Sequence, residues 1–215
     1  MIDIKDLELL SKYYAHKLPV CEAFYANETS PNDERIILCN NVIDALNRYS
    51  LSTLVDIIKV SHQPFEIRPC DISQFSDFNV CAYKTPYLIF AADLKDISYR
   101  QMGFILLQSP KKEAAYKKYG ENHAKTAAQI GLCAINKGKI NISCMGVAFL
   151  KLSEESQQEI IPKLLLYIPL IQNYFTANKD RRLIEKYLSQ LSLSTQKRRI
   201  SNINTLITIV ERALK

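Results

Sequence analysis

Asp71 lies 22 residues ahead of the triplet Asp93-Leu94-Lys95 in a chain of 215 residues. An acid followed at a distance by acid-x-Lys is the loose pattern of metal-dependent nucleases. Two carboxylates there hold a divalent cation against a phosphate, and a lysine helps to activate water. Asp93 also follows an apolar run, Tyr87-Leu88-Ile89-Phe90-Ala91, which reads as a strand. A site of this kind would take Mg2+, and it is the only cofactor the sequence suggests. The same stretch, Asp93 to Ser98, reads equally well as the entry to a helix. The histidines at 16, 62 and 123 are far apart in sequence. His62 and Cys70 lie close together but have no third partner at metal-ligand spacing. The six cysteines (21, 39, 70, 81, 133 and 144) contain no two-residue zinc-knuckle spacing, and are read as small buried hydrophobes.

The other chemistry is electrostatic. Residues 1–109 hold ten lysines and arginines against fourteen acids, whereas residues 110–215 hold eighteen against eight. All five glycines (103, 120, 131, 138 and 146) fall in the middle of the chain. A basic half of this kind suits a polyanion, and an acidic half suits a protein partner. A homodimer is compatible with this pattern. No apolar run is long enough to cross a membrane, and the start MIDIKDLELL lacks the blocks of a signal peptide. A cytoplasmic protein is therefore expected.

These groups must be positioned by a mainly α chain. Ile4, Leu7, Leu10 and Tyr14 keep helical spacing. Asn32-Asp33 can cap a second helix, and Ser52 or Thr53 a third. Gln63 to Pro86 reads as loop and short extended pieces. The reading divides the chain into an acidic region 1–95 of unassigned role, a central domain 96–152 and a basic helical extension 153–215.

The central domain has the clearest punctuation. Ser98-Tyr99-Arg100-Gln101 is a capping box. Ser109-Pro110 starts the next helix, Gly120 interrupts it, and Asn122 caps a short third helix that Gly131 ends. Leu132–Ile135 and Lys139–Ser143 alternate around the turn Asn136-Lys137-Gly138, which predicts an antiparallel hairpin. Met145 to Leu152 is one more helix. Three helices followed by a hairpin is the order of a winged helix-turn-helix, flanked here by helical N- and C-terminal regions. The third helix would face a major groove with Asn122, His123, Lys125, Thr126 and Gln129, and the hairpin tip would offer Lys137 and Lys139 to the backbone. Double-stranded DNA is then the expected partner, with sequence-specific binding the expected function.

Tyr119-Gly120-Glu121-Asn122-His123-Ala124, Ile130-Gly131-Leu132 and Leu152-Ser153-Glu154-Glu155 resemble a winged-helix module of bacterial restriction-modification and defence proteins. Ser194-Thr195-x-x-Arg198-Arg199-x-Ser201 is similar to the tail of that module. The resemblance covers about residues 95–210. It implies DNA binding in a defence or regulatory setting and brings no catalytic residues. The sequence also allows two alternatives. One is a restriction-type endonuclease using Asp71, Asp93 and Lys95, and the other is a non-catalytic adaptor or subunit of a defence complex.

Beyond the hairpin, Ser153 caps a helix that Pro162 should kink. Pro169 opens another, and Asp180 to Leu191 is a further one. The last helix carries the stripe Ile200, Ile203, Leu206, Ile207, Val210 and Leu214. Thr195 is its expected cap, which places Lys197, Arg198 and Arg199 in a first turn that disfavours cations. A phosphate held by Thr195, Lys197, Arg198 and Arg199 would reverse that cost.

Overall fold

Helices end and begin where the sequence offers caps, and glycines sit where backbones cross. The computed structural model describes residues 2–25, 33–61 and 63–215, so Asn32 and His62 lie outside the described residues. It is mainly helical with a small three-stranded antiparallel sheet. The helices are α1 (Ile4–Tyr14), α2 (Glu34–Arg48), α3 (Leu51–Ser61), α4 (Thr85–Ala91), α5 (Tyr99–Leu107), α6 (Glu113–Gln129), α7 (Cys144–Leu150), α8 (Glu154–Leu165), α9 (Pro169–Thr176), α10 (Arg182–Ser189) and α11 (Leu193–Ala213). The strands are β1 (Ile97–Ser98), β2 (Cys133–Asn136) and β3 (Lys139–Ile142). A short 3-10 turn, Pro19–Cys21, and a π-helical turn, Val80–Lys84, complete the elements.

The chain divides into two compact units, each discontinuous in sequence. One contains residues 1–18, 41–72 and 153–215, and the other contains residues 19–40 and 73–152. Their segments alternate along the chain, whereas the sequence reading divides it into three consecutive regions.

The first unit is helical. Its core includes Leu10, Tyr14, Leu54, Ile58, Leu164, Ile171, Tyr187, Ile203 and Val210, all buried. Asp3 caps α1 by accepting from the Lys5 amide at 2.7 Å. Buried Asn173 exchanges two hydrogen bonds with the Phe65 backbone, at 3.0 and 2.7 Å, which satisfies an irregular segment that forms no ladder of its own. Asp71 does similar work. Its carboxylate accepts from the Arg68 amide at 2.7 Å and pairs with the Arg68 guanidinium at 3.6 Å. Pro162 lies inside α8.

The second unit contains α4 through α7 and the sheet, whose strand order is β1-β3-β2. Ile97 pairs with Ile140 and Ser98 with Lys139; on the other edge Ile135 pairs with Ile140 and Asn136 with Lys139. Ile89, Ile97, Met102, Leu106, Ala124, Ala127, Ile140 and Val147 share one hydrophobic cluster between helices and sheet. The Ser98 capping box is present in full. Ser143 caps α7: its hydroxyl accepts from the Gly146 amide at 2.8 Å and donates to the Gly131 carbonyl at 2.5 Å.

Four local expectations are corrected. Tyr87–Ala91 is part of helix α4, with Pro86 in its first turn; Ile89 is buried, whereas Tyr87 and Phe90 are exposed, a helical rather than alternating pattern. The hairpin gains a third strand, β1, too short to leave a period in the sequence. Gly120 interrupts nothing. Residues 113–129 form one helix that starts at Glu113 rather than at Pro110, and Asn122 lies within it. Finally, α11 begins at Leu193 with Ser192 as its cap, three residues ahead of Thr195.

Candidate nucleic-acid interface

The sequence between Ser109 and Lys139 carries seven lysines and two glutamates. Helix α6 and the β2–β3 turn carry most of them. Helix α6 crosses α5 through two glycines. A Cβ on Gly120 would lie 2.5 Å from the Gly103 nitrogen and closer still to the Tyr99 carbonyl oxygen. A Cβ on Gly103 would lie 2.5 Å from the Tyr116 carbonyl carbon. The crossing buries one side of α6, with Ala124 and Ala127 inward, and leaves Ala114, Lys117, Lys118 and Lys125 exposed on the other. Lys117, Lys118, Glu121 and Lys125 follow the three- and four-residue spacing that shares a helix face.

Glu121 lies between two of these lysines. Lys125 Nζ donates to it at 2.7 Å and Lys118 Nζ at 3.3 Å. The hydrogen bond from Lys125, aided by the nearby positive charges, holds the Glu121 carboxyl below its ordinary value. Lys125 also stands 5.9 Å from the centre of the Tyr99 ring. The same ring lies 3.8 Å from where a Cβ on Gly138 would be. Tyr99 thus joins the α6 face to the hairpin turn. At that turn Lys137 and Gly138 both adopt positive φ, 47° and 76°, the signature of a two-residue type I′ connection. Lys137 within it and Lys139 just after it are both exposed.

The expected groove-facing residues do not all share this face. Lys125 is exposed and Asn122 is half-buried. His123 and Thr126 face inward, each about 1% exposed. His123 Nδ1 bonds the Tyr119 carbonyl at 2.8 Å and its Nε2 meets the Ser76 hydroxyl at 3.3 Å. Burial pushes its pKa below the ordinary histidine value. Thr126 donates back to the Asn122 carbonyl at 3.0 Å. Gln129 accepts from the Ser73 amide at 3.0 Å and so serves the fold. Lys117 and Lys118 were missed because a helix broken at Gly120 puts them on a separate element. Reading 113–129 as one helix aligns them with Lys125.

The remaining candidates divide between the units. Thr195, Lys197, Arg198 and Arg199 belong to the first unit. The Thr195 hydroxyl meets Ser192 Oγ at 2.9 Å, Arg198 Nε donates to the Ser194 carbonyl at 3.2 Å, and Lys197 is exposed. Arg199 is half-buried, and its Nε and Nη1 are enclosed without a hydrogen-bond partner among the described residues. Asp71 belongs to the first unit and Asp93 and Lys95 to the second. Asp93 adopts φ 45° at the end of α4, with the Leu94 amide reaching back to the Ile89 carbonyl at 2.9 Å, and pairs with Lys95 at 3.8 Å. That is a helix stop. Among the described residues no group of three or more His, Cys, Asp or Glu could hold a metal ion. No helix among them is long and apolar enough to cross a membrane.

No family model, curated protein or solved structure matches the chain.

Proposed function

We propose that residues 85–142 are a winged helix that binds double-stranded DNA, in the bacterial defence or regulatory setting that the sequence resemblance implies. One observation carries the proposal. Helix, short strand, two helices and a hairpin follow one another, and the short strand pairs with the second hairpin strand, giving the order β1-β3-β2. That arrangement sets α6 and the β2–β3 turn on one side, joined by Tyr99 and carrying the exposed lysines. Helix α6 is the groove helix in this reading. Lys117, Lys118 and Lys125 meet phosphates, and Glu121 is the group placed to accept from a cytosine amine. Lys137 and Lys139 reach the adjacent backbone.

The test is a salt titration of affinity on duplex DNA, by fluorescence anisotropy, with a selection from a random pool for preference. Replacing Lys118 and Lys125 together by alanine should flatten the slope of log affinity against log salt by about 1.8, at about 0.9 per phosphate. Glu121→Gln should broaden the selected sequences while leaving the slope in place. A wild-type chain that binds no duplex at about 50 mM salt would end the proposal, and so would a double variant with an unchanged slope.

A further inference from the structure

Within the second unit a cavity of about 610 Å³ opens between β1, α5 and the start of α6. Its apolar walls are Leu94, Ile97, Phe104 and Ile105, and Tyr116 closes one side. Phe104 and Tyr116 meet edge to face, with ring centres 5.5 Å apart. Phe104 is 64% exposed, a large apolar surface at the cavity mouth. The charged groups at the cavity are Arg100, Lys111 and Glu113. Arg100 is ion-paired with Glu113. Lys111 is exposed, and its backbone amide donates to the Tyr116 hydroxyl at 3.0 Å.

The volume falls in the range of small-molecule sites, which are mostly apolar with a few polar groups that fix orientation. The apolar walls select a ring or chain, and the excess of cations at the mouth selects an anion. We propose that this cavity binds a small amphipathic carboxylate, its apolar ring stacked against Phe104 and Tyr116 and its carboxylate at Lys111. Glu113 and Tyr116 belong to the first turn of α6, and Lys111 and Lys112 immediately precede it. Resting on the DNA-binding reading, the ligand would neutralise a cation beside the groove helix and weaken duplex binding.

The experiment titrates the full chain with 1-naphthoate, 1-naphthylmethanol and 1-naphthylmethylamine by isothermal calorimetry. The carboxylate should bind at one site per chain, about tenfold tighter than either analogue. Lys111→Glu should weaken the carboxylate about tenfold while leaving the alcohol unchanged, and Phe104→Ala should weaken all three. Both positions are exposed, so circular dichroism should show an intact fold in each variant. Equal binding of the three probes, absence of saturation, or a Lys111→Glu variant like wild type would each overturn the site. Saturating 1-naphthoate should lower duplex affinity about fivefold, and an unchanged affinity would withdraw the coupling. A chain that binds no duplex would fail the DNA reading alone, because the calorimetry decides the cavity without DNA.

Discussion

Gly120→Ala tests the crossing on which the candidate interface depends, and the sign of its effect is diagnostic. In an exposed helix interior, alanine in place of glycine stabilises by about 1 kcal/mol through the lost backbone entropy of the unfolded chain. At the α5–α6 crossing the added Cβ meets the backbone of the facing helix. It falls 2.5 Å from the Gly103 nitrogen and closer still to the Tyr99 carbonyl oxygen, where ordinary contact begins near 3.4 Å, so α6 must retreat by more than about 1 Å. Its neighbours Met102, Ala124 and Ala127 are fully buried, and the retreat opens gaps beside them. Overpacking of this kind costs about 1–3 kcal/mol, and backbone atoms yield less readily than side chains. A clash with backbone belongs at the upper end of that range, about 3 kcal/mol, and subtracting the gain of about 1 kcal/mol in helix propensity leaves a net loss of about 2 kcal/mol. For a chain of this size that lowers the melting temperature by roughly 4–8 °C.

The assay is thermal unfolding followed by circular dichroism, with urea titration beside it. Gly138→Ala is the internal comparison. Its turn position has φ 76° and no close neighbour apart from the Tyr99 ring edge, so its cost of about 1–2 kcal/mol comes from backbone conformation alone. A Gly120→Ala protein as stable as wild type, or more stable, would show that α6 does not cross α5 through its glycines. The shared face of Lys117, Lys118 and Lys125 would then lose its support.

Three further perturbations probe separate points. Ser143→Ala removes both the α7 cap and the partner of the Gly131 carbonyl at a fully buried site, and should cost about 1–3 kcal/mol in urea titrations; a loss under 0.5 kcal/mol, about what a surface change produces, would refute the capping role. Burial keeps His123 neutral by lowering its pKa from the ordinary 6.5, so its contribution to stability is complete above that value and declines as the unfolded state takes up the proton below it. Stability measured from about pH 7.5 down to pH 5.5 should therefore fall more steeply for wild type than for His123→Gln, and parallel curves would place the titration elsewhere. Arg199→Met removes two enclosed nitrogens without partners and keeps the apolar stem. It should leave stability unchanged or raise it by up to about 1 kcal/mol, whereas a marked loss would reveal a partner for the guanidinium.

Much of the fold was legible because caps and stripes are local. Ser98 with Gln101, Ser153 with its following acids, and Pro169 at a helix start all act within one turn, and each does so in the structure. What misled was context. Five apolar residues in a row, Tyr87 to Ala91, suit a strand or a short buried helix equally. The choice fell to helix through Pro86 and the preceding π turn, whose Val80 carbonyl accepts from the Thr85 hydroxyl at 2.8 Å. Gly120 looked like a breaker, since glycine costs a helix about 1 kcal/mol. It is retained because only glycine lets α5 approach, and nothing around residue 120 announces the partner at residue 103. Strand β1 exists only through its pairing with β3.

The candidate site follows the same division between local and distant causes. Lysine spacing along α6 is local, and reading one continuous helix recovers Lys117, Lys118 and Lys125 together. The inward placement of His123, Thr126 and Gln129 depends on Ser76, on the helix's own carbonyls and on Ser73, and sequence spacing cannot supply the distant partners among these. At α11 the sequence reading puts the cap at Thr195, whereas Ser192 takes that position. The amides of Thr195 and Gln196 bond the Ser192 carbonyl at 2.8 and 2.9 Å, which starts the helix three residues early. Lys197, Arg198 and Arg199 then lie beyond the first turn, where the helix dipole has largely decayed. The apparent conflict of three cations at a helix start is therefore absent, and a phosphate is no longer needed to resolve it. Arg199 instead pays for its half-buried position through desolvation, which lowers its pKa. The exposed lysines of α6 and the hairpin turn, rather than this helix start, are then the groups that suit a polyanion.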